Sequence, residues 1–238
     1  QKTSPINEDR VAFIEGESGR RHMAYRAADG QIHELSVSSD GSRAKDSTIS
    51  MLAKAPLAAG HPSAYILGSG NRRVLYRGMS GHLHELSGVA VGADVASWRH
   101  TNLTEQLDIP VASCDPSVVV FDGVPHIVYV DRTARLREIW FDERWRQHPL
   151  LAAPRPAGDV VISRSASSLH VTYRTMFGAA CEQTHRLSGT EPHRRSWTPR
   201  LIHRLPAAGI PVGFNKDGKR RIIFRAAEKW PSREPFIF

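Results

Sequence analysis

One segment of this chain recurs. Arg73 to Leu86 reads RVLYRGMSGHLHEL, and His22 to Leu35 reads HMAYRAADGQIHEL. Laid over one another, the two keep Tyr-Arg, a glycine and His-Glu-Leu in place. Weaker copies begin at His126 (HIVYVDRTARLREI), Leu169 (LHVTYRTMFGAACEQ) and Arg220 (RRIIFRAAEKWPSREPF). Such self-similarity constrains the fold more than any local motif. Each copy must form the same piece of structure and bury its faces against its neighbours.

Several features share the register. The aromatic anchors Tyr25, Tyr76, Tyr129, Tyr173 and Phe224 lie 51, 53, 44 and 51 residues apart. A glutamate stands nine positions after the anchor in four copies, as Glu34, Glu85, Glu138 and Glu182. In the last copy Glu234 is ten after Phe224, which one inserted residue explains. A glycine stands five after the anchor at Gly30, Gly81 and Gly178, and the third copy has Ala134 there. Ahead of each anchor lies an apolar run (VAFIE, SAYIL, SVVVF, DVVIS, PVGF), and turn residues such as EGESG, GSGN, DGVP and NKDG follow several of them. That is hairpin chemistry. Trp98, Trp145 and Trp197 each fall about thirty residues before the next anchor.

Each copy therefore reads as a hairpin, a third strand and a tryptophan-bearing outer strand. Alternation puts Ile32 and Glu34 on one face of the third strand and His33 and Leu35 on the other. No helix-period segment of useful length appears. A unit of roughly fifty residues with three or four short strands suits a propeller blade. The expectation is an all-β, single-domain β-propeller over 1–238, with five blades at about 1–55, 56–109, 110–153, 154–205 and 206–238. Residues 1–10 read as a linker into the first blade. Residues 36–60 lack the tryptophan and read as a degenerate outer strand. The sequence stops at Phe238 where a fourth strand of the last blade is due. That blade is three-stranded, is completed by the N-terminal segment, or belongs to a longer protein.

Net charge is +8, from 32 Lys+Arg against 24 Asp+Glu. This favours acidic partners in general. The basic residues are scattered, with only short clusters at His193-Arg194-Arg195 and Lys219-Arg220-Arg221, so no specific nucleic-acid site is expected. No apolar run approaches a membrane span of ~18–20 residues. The chain begins at Gln1 without a signal-like stretch, which reads as a processed or recombinant chain; a secreted or extracellular setting is favoured. Cys114 and Cys181 are too few for a disulfide scaffold and read as buried thiols. Asn102-Leu103-Thr104 is formally a glycosylation sequon.

The unit YRG-x-x-G-x-x-HEL followed by W-x-x-x-NLT resembles the repeats of lectin-like β-propellers. In chain length and copy number the chain is similar to the tachylectin-type five-bladed lectins. The Gly-His…Trp-Asp pairing of WD repeats, the Ser-x-Asp-x-Gly-x-Thr-Trp box of sialidases and the double glycine of kelch repeats are missing from the sequence. The resemblance implies glycan partners, anionic ones included, held between adjacent blades at multivalent sites; oligomers are compatible with it. Sugars need an aromatic plane and hydrogen-bonding groups. The candidates are Trp98, Trp145, Trp197, Arg26, Arg77, His33, His84, Glu34 and Glu85. Packing between blades competes for the tryptophans, and a repeated structural ion pair competes for the Arg and Glu columns.

No cofactor or metal is expected. His82 and His84 share a strand face, but no third ligand is evident. Asp115 with Asp122, or Glu138 with Glu143, are the acid pairs a glycoside hydrolase reading would use. No nucleophile elbow or phosphate loop is present. The leading reading is a non-catalytic carbohydrate-binding propeller, followed by a protein-interaction or scaffold module of a larger protein, and then an enzyme acting on an anionic polysaccharide.

Overall fold

The computed structural model describes residues 12–15, 19–67, 70–91, 94–149, 154–186, 197–217, 219–225 and 236–237. Among these the chain is all-β, with four four-stranded antiparallel sheets, one three-stranded sheet and two single-turn helices. By compactness it divides into two units. The first holds residues 1–116 with 122–125, and the second holds 117–121 with 126–238.

The first unit contains two sheets. One is β1 (Ala12–Glu15), β2 (Arg21–Arg26), β3 (Ile32–Val37) and β4 (Ala44–Ser47), followed by α1 (Ile49–Leu52). The other is β5 (Ser63–Leu67), β6 (Asn71–Arg77), β7 (Leu83–Val91) and β8 (Asp94–Asn102), followed by α2 (Leu103–Leu107). The second unit has β9 (Ser117–Phe121), β10 (Val124–Val130), β11 (Leu136–Asp142) and β12 (Arg144–Pro149). Next come β13 (Pro156–Arg164), β14 (Ser168–Thr175), β15 (Ala179–Arg186) and β16 (Trp197–Pro206). The last sheet is β17 (Val212–Lys216), β18 (Lys219–Phe224) and β19 (Phe236–Ile237). Within every sheet neighbouring strands are consecutive in sequence. First strands of successive sheets lie side by side, β1 with β5 in one unit, and β9 with β13 and β13 with β17 in the other.

The register follows the repeat. The anchors pair with the residue eight positions on: Tyr25 with His33, Tyr76 with His84, Tyr129 with Arg137 and Tyr173 with Cys181. Each tryptophan pairs with the residue twelve after its anchor: Trp98 with Gly88, Trp145 with Phe141 and Trp197 with His185. In the first sheet the same place pairs Val37 with Ala44. Tyr76, Tyr129 and Tyr173 are fully buried. In the last sheet Phe224 pairs with Phe236, twelve positions on, so the pairing there is four residues out of the register of the other sheets. Glu234 lies outside the described residues, as do residues 1–10 and the cluster His193-Arg194-Arg195.

Two repeated devices escaped the sequence reading. The turn glycines Gly30, Gly81 and Gly178 have φ of 83°, 90° and 85°. Their carbonyls, freed by that conformation, accept the N–H groups of Ala58, Ala112 and Ala207 in the connections that follow. The LAA, VAS and PAA tripeptides are therefore one element, the link from one sheet to the next. At the third copy Ala134 takes φ 58°. The Asp131 carboxylate accepts from Thr133 N and Arg135 N there and holds the turn without glycine.

The second device is the helical turn after the outer strand. Ser50 Oγ accepts from Ile32 N at 2.9 Å, and Thr104 Oγ1 accepts from Leu83 N at 2.7 Å. Thr48-Ile49-Ser50 is thus the first-sheet counterpart of Asn102-Leu103-Thr104. The sequon is built into structure. Asn102 caps α2 by accepting from Glu105 N, while Leu103 and Thr104 are buried. Neither cysteine is in a disulfide; Cys181 is buried and Cys114 half-buried.

Candidate functional site

The four described glutamates of the repeat, Glu34, Glu85, Glu138 and Glu182, are buried, and each has a basic partner on its own sheet, three residues before the anchor. The pairs are His22–Glu34 at 3.6 Å, Arg73–Glu85 at 2.6 Å, His126–Glu138 at 2.9 Å and His170–Glu182 at 3.7 Å. A buried carboxylate is tolerable only with such partners. Three of these glutamates also take a donor from the next sheet within the same unit. Arg72, four before its anchor, donates from Nε to Glu34 Oε1 at 2.7 Å and from Nη2 to Oε2 at 3.2 Å. Arg220, in the equivalent place, donates from Nε to Glu182 Oε2 at 2.8 Å and also bonds Ser163 Oγ. A Cβ at Gly213 would overlap that guanidinium, so glycine makes room for it. Leu169 holds this place in the fourth sheet, and Trp197 Nε1 donates to Glu138 Oε2 at 3.2 Å instead. Burial raises the Glu182 pKa, but the His170 and Arg220 contacts outweigh it and hold the carboxyl below its ordinary range.

Glutamate, arginine and tryptophan come together at one boundary among the described residues, that between the first and second sheets. There a cavity of about 270 Å³ is lined by Arg20, His22, Glu34, Ser36, Lys45, Ser47 and Leu52 from one side and by Arg72, Ser97 and Trp98 from the other. Strand register builds it. His22, Ser36 and Lys45 form one cross-strand row, and Glu34 and Ser47 pair in the next. Across the gap Trp98 pairs with Gly88, which brings no side chain to that row. Trp98 is 9% exposed and packs with Ile49, Tyr76 and Leu86. The cavity has room for a single sugar ring rather than a drug-sized ligand.

Of the nine candidates read from the sequence, the structure brings Trp98 and Glu34 to this cavity. Arg26 instead donates from Nε to Ala58 O at 2.8 Å, latching the connection. Arg77 pairs with Asp115 at 3.3 Å, a carboxylate that also accepts from His61 N. His33 lies against Tyr25 and 3.2 Å from Asp46. His84 lies tilted against Tyr76, with its Nδ1 at 2.9 Å from His100 Nε2. Glu85 is taken up by Arg73 and the Tyr65 hydroxyl. Trp145 packs edge-on against Phe141, and Trp197 is buried beside His185 and Glu138. Arg77 and Arg26 therefore do not pair with the glutamates; the ion pair of the repeat uses the basic residues before the anchor. The signal was present in HMAY, HIVY and LHVTY and in the two Arg-Arg pairs at 72–73 and 220–221.

The members of the two acid pairs differ in their surroundings. Asp115 is engaged by Arg77, and Asp122 sits in a left-handed turn with φ 48°. Glu138 is fully buried, while Glu143 is exposed at the β11–β12 turn. His82, His84 and His100 form a chain of rings with centroids 6.3 and 5.0 Å apart. No group of three ligands that could hold a metal occurs among the described residues. Among them, too, no helix is long and apolar enough to cross a membrane.

No family model matches the sequence, and no curated protein matches it. Solved structures do. A mutant of AofleA from Arthrobotrys oligospora superposes with a TM-score of 0.66 at 15% identity, over 99% of this chain and 70% of that one. The SapL1 lectin in complex with alpha methyl fucoside gives 0.64 at 13%, over 93% and 74%. The lectin of Aleuria aurantia, a six-bladed β-propeller with a novel fucose recognition mode, gives 0.57 at 16%, over 93% and 74%. The likeness is one of fold, the all-β β-propeller.

Proposed function

We propose that this protein is a non-catalytic, carbohydrate-binding β-propeller of five blades, one per sheet, with sugar sites between adjacent blades. The observation that carries the reading is the cavity between the first two sheets. There an indole, a buried carboxylate and an arginine converge on a space the size of one sugar ring. An aromatic wall takes the C–H face of a sugar, and fixed donors and acceptors take its hydroxyls. Partial copies in the second unit, Glu138 with Trp197 and Glu182 with Arg220, support further and weaker sites. Several weak sites reach useful strength through avidity on a glycan-bearing surface. The likeness to solved lectin propellers supports the carbohydrate-binding part of this reading.

A broad glycan array tests it. The expected result is salt-resistant binding to a restricted set of glycans. Failure to bind any glycan overturns the reading. A second reading, a protein-interaction module, is favoured by Phe177, 92% exposed, and Met176, 61% exposed, at the β14–β15 turn. Such apolar tips suit a protein partner.

A further inference from the structure

We infer that the second unit carries an oriented lipid-binding end: Met176 and Phe177 enter an anionic bilayer surface, and the arginines around them meet its headgroups. This goes beyond the carbohydrate reading and does not depend on it.

Phe177 is 92% exposed and Met176 61% exposed, at the β14–β15 turn. The turn that displays them is fixed. Gly178 N donates back to Thr175 O, Met176 N donates to Arg155 O, and Gly178 O accepts from Ala207 N. Taken alone, such a tip suits a protein partner. The charge around it points instead to a bilayer. Strands alternate in direction within each sheet, so the β10–β11 and β14–β15 turns, the connections into β13 and β17 and the end of β18 lie at one end of their sheets. That end presents Arg135, Arg155 and Arg225, all exposed, and the half-buried Arg174. Arg225 donates to a neutral group, the Ala208 carbonyl, and keeps its charge. The side chains of Arg135, Arg155 and Arg174 meet no carboxylate among the described residues.

The acids near this end are already engaged. Asp131 is fully buried and accepts from Thr133 and Arg137. Asp159, in the β13 bulge, is half-buried and has a partner. The unit's exposed acids among the described residues, Glu143 and Asp217, sit in the β11–β12 and β17–β18 turns at the opposite end. A projecting apolar tip needs a matching socket in a protein, whereas a fluid bilayer opens around it. Exposed arginines at its base are then placed to reach lipid phosphates and carboxylates.

Cosedimentation with vesicles tests it, using phosphatidylcholine alone and phosphatidylcholine with phosphatidylserine in equal parts. These vesicles carry no sugar, so glycan binding cannot mimic the result. The protein should bind the mixed vesicles at least about ten-fold more tightly than the neutral ones, and less at high salt. Met176→Ser with Phe177→Ser should abolish binding, and Arg155→Gln with Arg174→Gln should weaken it about ten-fold. Lys216→Gln with Lys219→Gln, at the opposite end, should leave it unchanged. Near-ultraviolet circular dichroism should be the same in all three double variants. No binding to either vesicle, equal binding to both, or binding that survives loss of the tip overturns the inference. So does an equal loss in the lysine variant, which would make the attraction a general effect of the +8 charge. A dimer that forms without vesicles and disappears with the tip overturns it too, assigning the tip to a second copy.

Discussion

Arg72 reaches across from the second sheet and grips Glu34 of the first with two hydrogen bonds, 2.7 and 3.2 Å long, both groups being buried. Removing either partner strands the other charge away from water, at a cost of about 3–5 kcal/mol. Glu34→Ala and Arg72→Ala should each lose stability on that scale in urea titrations. Glu34→Leu combined with Arg72→Met should lose much less, because no charge is left orphaned. Single variants no worse than the pair would show that this contact does not hold the sheets together.

Trp98 and Trp145 occupy the same register position in their sheets but differ in surroundings. Trp98 is in the core of the first unit and walls the cavity; Trp145 is half-buried against Phe141, ring centroids 5.4 Å apart. Trp98→Ala should cost about 3–5 kcal/mol and Trp145→Ala about 1 kcal/mol. Trp98→Phe should stay folded at reduced stability and weaken sugar binding at the cavity. Trp145→Phe should leave that binding unchanged. Equal effects from the two Phe variants, measured side by side by urea titration and glycan binding, would remove the special place given to Trp98.

The His84 imidazole is pushed down to about 4 by burial, then by the charges of His100 and His82. Burial also lowers His100, against the opposing pull of Glu105. At 2.9 Å the two rings share one proton between Nδ1 and Nε2, so the pair works only while one ring is neutral. Between pH 6.5 and about 4 the unfolded chain binds a proton at His84 that the folded chain refuses. Stability must therefore fall as pH drops through that window, and this contribution flattens below about 4. Urea titrations at several pH values should show the slope, and His84→Gln should reduce it. An unchanged slope in the variant would place the acid sensitivity elsewhere.

The repeat told which segments form strands and where each tryptophan falls, because those depend on spacing alone. It did not tell which arginine meets which glutamate. Arg72 and Arg73 are adjacent in sequence, and in a strand adjacent side chains point to opposite faces. Arg73 stays with Glu85 on its own sheet while Arg72 crosses to Glu34. A motif centred on Tyr-Arg drew attention to Arg26 and Arg77, whose work is to secure connections. The single-turn helices were illegible for another reason. Four or five residues are too few for a 3.6-residue period to register, so the kinship of Thr48-Ile49-Ser50 with Asn102-Leu103-Thr104 appears only through their shared hydrogen bond to the third strand.

Ala134 shows how one copy compensates for a lost glycine, and it supplies a test. Its φ of 58° is left-handed, a region that costs an L-residue roughly 1–2 kcal/mol. The Asp131 carboxylate offsets part of this by accepting from Thr133 N, Arg135 N and Arg137 Nε. Those contacts, working against burial, hold its pKa below the ordinary aspartate value. Ala134→Gly removes the backbone strain but adds freedom to the unfolded chain worth about 0.4–1 kcal/mol. The net should be stabilising by up to about 1 kcal/mol. The reverse change at the equivalent turn, Gly81→Ala at φ 90°, should destabilise. Thermal unfolding of the two variants should move the midpoint in opposite directions. A drop in both would mean that the side chain of Ala134, rather than its backbone, is what this turn requires.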